Sequence, residues 1–204
     1  MIDSILGWLT TDRHLEWISA ILGFLYIFCS IKEHLLTWFF GILTSALYVY
    51  VFFVNKFYAD MSLQVYYVVI SFYGWYMWMR KVDDKNPAVQ VRLANKKEWV
   101  GISISSLILY FVIWYVLKYH TDSPVPVVDA FTTACSIVAT WMMTRKILEQ
   151  WIFWVVIDFV SMVIYLYKGM VPTSLLMGTY TVLAVVGFVT WKKQMKPTKI
   201  ASNA

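Results

Sequence analysis

Trp151, Trp154 and Asp158 stand at i, i+3 and i+7 of one apolar stretch, a spacing that sets two indoles and a carboxyl along one side of a helix. Asp158 is the one formally charged side chain expected near the middle of a membrane-spanning segment, where a charge costs about 3 kcal/mol to insert. Such a cost implies a use. Indole faces attract cations and a carboxylate pairs with them, so the chemistry on offer is reversible binding of a flat, positively charged molecule. The same residues also suit plainer work: Trp151 at a span end serves as an interfacial anchor, and Asp158 bonds Ser161 or a neighbouring helix.

Weaker members of the candidate set are Thr44 and Ser45, polar and mid-span in the second helix, Gln64 in the first turn of the third, and the tyrosines Tyr67 and Tyr180. Catalytic chemistry finds no support, since paired acids and a Ser/His set are both missing from the spans. His14, His34 and His120 sit at span edges or in loops, and Cys29 and Cys135 fall in separate spans with no ligand spacing. No metal or cofactor is expected.

The elements that must position these residues follow from composition. Of 204 residues, 60% are hydrophobic, 19% aromatic and 14% charged, and the mean hydropathy is +0.64. That leaves too little polar side chain to cover a soluble globule, so the fold class is all-α integral membrane. Runs long enough to cross a bilayer, about 20 residues each, are expected at 16–31, 35–54, 61–79, 99–117, 128–144, 148–167 and 172–191. Residues 1–15 lack the basic leading region of a secretory signal and read as a short interfacial helix.

Lys and Arg sort by side. Arg13, Lys56, Lys118 and Lys168 fall on one face of the membrane, and the other thirteen of the 17 fall on the opposite face, mostly in 80–98, 145–146 and 192–199. The positive-inside rule then puts the N-terminus outside and the basic tail, 192–204, in the cytoplasm. The net charge of +5 is spent on topology and anionic lipid, and no folded basic domain exists to bind nucleic acid.

The chain also repeats. At an offset of 113 residues Glu16 meets Asp129, Lys32 meets Arg145, Trp38 meets Trp151, Tyr67 meets Tyr180, Gly74 meets Gly187 and Trp78 meets Trp191. Ser45 corresponds to Asp158 by the same offset. Three spans, 16–79, are therefore repeated as 128–191. Between them lies 80–127, a cytoplasmic loop, a linker helix over 99–117 and an outer loop. One intervening span gives both copies the same direction, a 3+1+3 parallel repeat with a pathway expected between the triplets near the midplane.

The stretches Trp38–Tyr48 (WFFGILTSALY), Phe57–Tyr67 (FYADMSLQVYY), Tyr73-Gly74-Trp75-Tyr76 and Glu149–Asp158 (EQWIFWVVID) resemble the PnuC family of bacterial vitamin transporters, and the likeness covers nearly the whole chain. The resemblance implies a SWEET-like fold, a homotrimer in the bacterial inner membrane and import of nicotinamide riboside. It also implies facilitated diffusion by alternating access, made one-way when a cytoplasmic kinase phosphorylates the nucleoside without stably binding the transporter. The family's W-x-x-W-x-x-x-N/D substrate motif maps onto Trp151, Trp154 and Asp158. Two alternatives fit the same residues: thiamine, another cationic ring vitamin, as substrate, and a proton-coupled transporter using Asp158 as its carrier.

Overall fold

A computed structural model describes residues 12–54, 58–83, 86–87, 89–121, 123–167 and 171–195. Seven helices run through the described residues: α1 (Asp12–Ile31), α2 (Leu36–Val54), α3 (Tyr58–Met79), α4 (Lys96–His120), α5 (Pro126–Thr144), α6 (Gln150–Tyr167) and α7 (Val171–Gln194). Two short antiparallel strands, β1 (Lys81–Asp83) and β2 (Asn86–Pro87), occupy part of the segment expected as loop. Four stretches are long and apolar enough to cross a membrane, Lys96–His120, Pro126–Thr144, Gln150–Tyr167 and Ser174–Gln194, while Ile21–Ile31 and Leu36–Tyr50 are apolar but shorter. The protein is a multi-pass membrane protein.

Helix ends depart from the expected spans where polar residues are capped. α4 begins at Lys96 rather than 99 because Asn95 and Glu98 form a capping box: Asn95 Oδ1 accepts from the Glu98 backbone N–H at 2.9 Å, and Glu98 accepts from that of Asn95 at 2.9 Å. The charged first turn reads as loop by hydropathy but satisfies its own donors. α3 begins at Tyr58, so Gln64 lies nearly two turns inside it. α1 begins at Asp12, which makes residues 12–15 its first turn; the rest of the expected 1–15 helix lies outside the described residues.

The chain divides into two compact units, Met1–Arg80 and Lys81–Ala204. In the first, α2 packs against both α1 and α3. In the second, α5 packs against α4 and α6, and α6 against α7. The helix expected as a linker between triplets therefore groups with the second unit. Its contact is the cluster Ile102, Val138, Met142 and Ile147. Fully buried Ala130, Ala134 and Ala139 on α5 let neighbouring backbones approach closely, the usual device where hydrocarbon supplies no squeezing force.

Burial is patterned for lipid. On α6 the exposed residues Ile152, Val156, Phe159, Val163 and Leu166 recur at alternating steps of four and three, an apolar stripe, while Gln150, Trp151, Ile157 and Asp158 are buried. Small polar side chains are likewise turned inward at Ser45, Ser71, Ser136, Thr140 and Ser174. Several close on the helix itself, as when Thr140 donates to the Ser136 carbonyl at 2.8 Å.

The 113-residue repeat reappears as local geometry inside each unit. The two non-glycine residues with positive φ among those described are Glu33 (53°) and Lys146 (50°), which are repeat equivalents. Each closes a Schellman turn. His34 N–H donates to the Cys29 carbonyl at 2.9 Å and Glu33 N–H to Ser30 at 3.1 Å; Ile147 donates to Met142 at 3.0 Å and Lys146 to Met143 at 3.0 Å.

Each unit also seats an indole in a glycine notch. A Cβ built on Gly187 would stand 2.6 Å from the Trp151 ring, and one on Gly74 would collide with Trp38. Trp151 meets Trp191 edge-on at 5.5 Å between centroids, and Trp38 meets Trp78 edge-on at 5.2 Å. Only glycine lets the backbone come so near a ring. Gly187→Ala is expected to lower the melting temperature of the detergent-solubilised protein by the equivalent of about 1–3 kcal/mol of overpacking. Adding Trp151→Leu should recover part of that loss; a double variant whose deficit is the simple total of the two singles would show that the ring and the glycine are not coupled.

Candidate functional site

The site is built on the first three turns of α6, and the start of that helix is unusually well anchored. After Lys146, backbone bonds from Gln150 to the Ile147 carbonyl (3.2 Å) and from Trp151 to Leu148 (3.2 Å) launch the helix. The segment ahead of α4 is tied across this launch point: Arg92 N–H donates to the Lys146 carbonyl at 3.2 Å and Leu148 N–H to that of Arg92 at 2.9 Å. Both carboxylate oxygens of Glu149 accept from Ala94 N–H, at 3.1 and 3.2 Å. Arg92 reaches Glu98 through two nitrogens at 2.6 and 2.7 Å, and the bonded carboxylate raises the guanidinium's already high affinity for its proton.

From that anchor the three motif residues rise along one side of α6. Trp151, 2% exposed, is the indole held in the Gly187 notch. Trp154, a turn deeper, is half-buried. Asp158, deeper still, is 7% exposed and has no hydrogen-bond or ion-pair partner among the described residues. The bond to Ser161 that would have made it a packing anchor is not formed. A buried carboxyl without a partner is costly, and here it stands one turn past an indole with accessible surface. An indole face and a carboxyl so spaced have the chemistry to hold a planar cation, the one offering its π-face and the other its charge.

The other expected site residues are distributed over both units. Ser45, equivalent to Asp158, is buried on α2. Thr44 beside it is half-buried and gives its proton to the Phe40 carbonyl at 2.8 Å, so its hydroxyl is left as an acceptor. On α3, Gln64 is half-buried, as is Tyr67, whose ring lies 5.6 Å from that of Tyr66. Tyr180 is half-buried on α7. Thus Thr44, Ser45, Gln64 and Tyr67 belong to the first unit, and Trp151, Trp154, Asp158 and Tyr180 to the second. No group of His, Cys, Asp and Glu able to hold a metal occurs among the described residues.

Two residues of this region escape a reading by hydropathy. Glu149 looks like an ordinary loop-edge charge, yet it is 9% exposed and satisfies a backbone donor 55 residues away. Gln150 is wholly buried. The available signal was its position: a large amide set directly against an apolar run, next to a tryptophan.

Comparison with known proteins follows the same outline. A model of the family described as nicotinamide mononucleotide transporter matches residues 13–193. The chain is 30% identical to the nicotinamide riboside transporter PnuC of Escherichia coli (strain K12), over 87% of this chain and 85% of that one. It is 25% identical to the riboflavin/roseoflavin transporter RibM of Streptomyces davaonensis, over 88% and 86%. Among solved structures its fold is similar to that of the vitamin B3 transporter PnuC, with a TM-score of 0.71 at 24% identity, covering 95% of this chain and 86% of that one.

Two outcomes are expected from the geometry. Asp158→Leu should raise the melting temperature of the ligand-free protein, because an uncompensated carboxyl is replaced by a side chain suited to its surroundings; a fall would mean that the acid holds the fold. Glu149→Ala should lower it by the equivalent of about 1–3 kcal/mol, since the Ala94 N–H loses its acceptor, and hydrogen exchange at Ala94 should quicken.

Proposed function

The chain belongs to the nicotinamide mononucleotide transporter family, whose relatives here are transporters rather than enzymes, and from that premise we propose that it carries nicotinamide riboside across the bacterial inner membrane by facilitated diffusion. The observation that carries this reading is the buried carboxyl of Asp158, without a polar partner among the described residues, one turn beyond the half-buried Trp154. A pyridinium nucleoside has what each lacks: a flat cation for the indole and a positive charge and hydroxyls for the acid. Trp151, Gln64, Tyr67, Tyr180, Thr44 and Ser45 complete the substrate-binding set in this reading. Trp151 contributes mainly by fixing α6 on α7.

The proposal extends to a SWEET-like 3+1+3 arrangement working by alternating access, a homotrimer, an outside N-terminus and a cytoplasmic C-terminus. Release into the cytoplasm is made one-way by a kinase that phosphorylates the nucleoside without forming a stable complex. The support for these points is the family resemblance and the Lys/Arg bias.

A second reading, proton coupling, is favoured by the same lone acid, since an intramembrane carboxyl is also a proton carrier. Uptake of nicotinamide riboside into proteoliposomes separates the two. Facilitated diffusion predicts an initial rate indifferent to an imposed pH gradient; a rate that follows the gradient establishes coupling. In calorimetry, Trp154→Ala is expected to weaken binding by roughly 3- to 30-fold, the size of a cation–π contact of about 0.5–2 kcal/mol, and Asp158→Asn to weaken it about tenfold or more. Equal or tighter binding of riboflavin or thiamine would overturn the substrate assignment.

A further inference from the structure

Gln150, the first residue of α6, is wholly buried, and neither its amide nitrogen nor its amide oxygen has a hydrogen-bond partner among the described residues. The indole nitrogen of Trp151 beside it is also unpartnered. A primary amide offers two donors and an acceptor with two lone pairs, and burying it unpaired sacrifices stability that Leu or Met would keep. The position is not incidental to the repeat: its equivalent, Thr37, is also wholly buried with its hydroxyl unpartnered. Each unit therefore places a polar group immediately before its notch tryptophan, but only the second makes it an amide.

Helical geometry connects this amide to the motif. Gln150, Trp154 and Asp158 stand at i, i+4 and i+8, a strip about 80° wide in which successive members rise about 6 Å. The order is amide, indole, carboxyl. A ring lying on Trp154 with its charge and hydroxyls toward Asp158 directs its opposite edge toward Gln150, and the 6 Å interval is spanned by one ring substituent and one hydrogen bond of about 3 Å.

We propose that Gln150 reads the carboxamide of the substrate: the ligand's amide N–H donates to the Gln150 oxygen while the Gln150 N–H donates to the ligand's carbonyl. This rests on the reading of the site as one for a pyridinium nucleoside and adds to it the feature that selects among such molecules. Thiamine and riboflavin carry no exocyclic carboxamide. Because the amide is closed off in the described conformation, binding requires its side chain to swing along the helix toward Trp154. Selectivity then comes from pairing two groups that each lose by being left alone.

The test is calorimetric binding of two probes, nicotinamide riboside and the unsubstituted pyridinium riboside, to the purified full-length protein and to Gln150→Met, with ligand-free melting temperatures alongside. The parent should prefer nicotinamide riboside by about tenfold or more. Gln150→Met should lose that preference while binding pyridinium riboside within about twofold of the parent, and should melt no lower without ligand. Equal weakening toward both probes, no weakening toward either, a lower melting temperature or failure to fold would each overturn the proposal, by giving the amide a packing role or none. A parent that binds neither probe removes the nucleoside reading itself; a parent that binds both equally removes only the role of the carboxamide.

Discussion

Hydrocarbon accepts no hydrogen bonds, and this chain is arranged around that constraint. Every donor and acceptor that enters the bilayer must find its partner inside the protein. Most do: threonines close on the carbonyl a turn back, Ser174 donates to the Met162 carbonyl on the neighbouring helix at 2.9 Å, and the capping box settles the start of α4. Against that thrift the unpaired groups stand out. Asp158 and Gln150 are buried and polar, have no polar partner among the described residues, and both lie on α6. In the proposed reading, a visiting molecule supplies the partner that these two lack.

The duplicated architecture separates structure from chemistry residue by residue. Positions shared between the copies are the ones that fix backbones: Trp38 and Trp151 in their notches, Gly74 and Gly187 beneath them, Glu33 and Lys146 in left-handed turns. Other positions differ between the copies, among them those of the W-x-x-W-x-x-x-D motif. Where the second copy has Trp154, the first has Gly41, and a Cβ there would already stand 3.0 Å from Ser71 Oγ. Where the second has Asp158 and Gln150, the first has Ser45 and Thr37. One copy keeps the frame, and the other keeps the frame and adds an indole, an acid and an amide.

This division explains what the sequence made legible. The W-x-x-W-x-x-x-D residues fall within one continuous helix, and residues 113 apart share a positive-φ turn and a glycine notch, because a helical period and a tight turn are both written locally. What Trp151 does is not local: its ring fills a space made by Gly187 on another helix, so spacing alone leaves it equally fit for a ligand or for packing. Glu149 reads as a solvated edge charge until Ala94, far away in sequence, presents its N–H. The early start of α4 was hidden because hydropathy sees charge and not the hydrogen bonds that charge can make within a first turn. The grouping of α4 with the second unit depends on side chains such as Ile102 and Met142 meeting across helices, which no periodicity reports.

An indole seated in a backbone slot works like a key. With the Trp151 ring lodged over Gly187, α6 cannot slide along α7 or roll against it unless the ring first withdraws. The slot thus ties the position of α6 to that of α7 more tightly than flexible aliphatic side chains would.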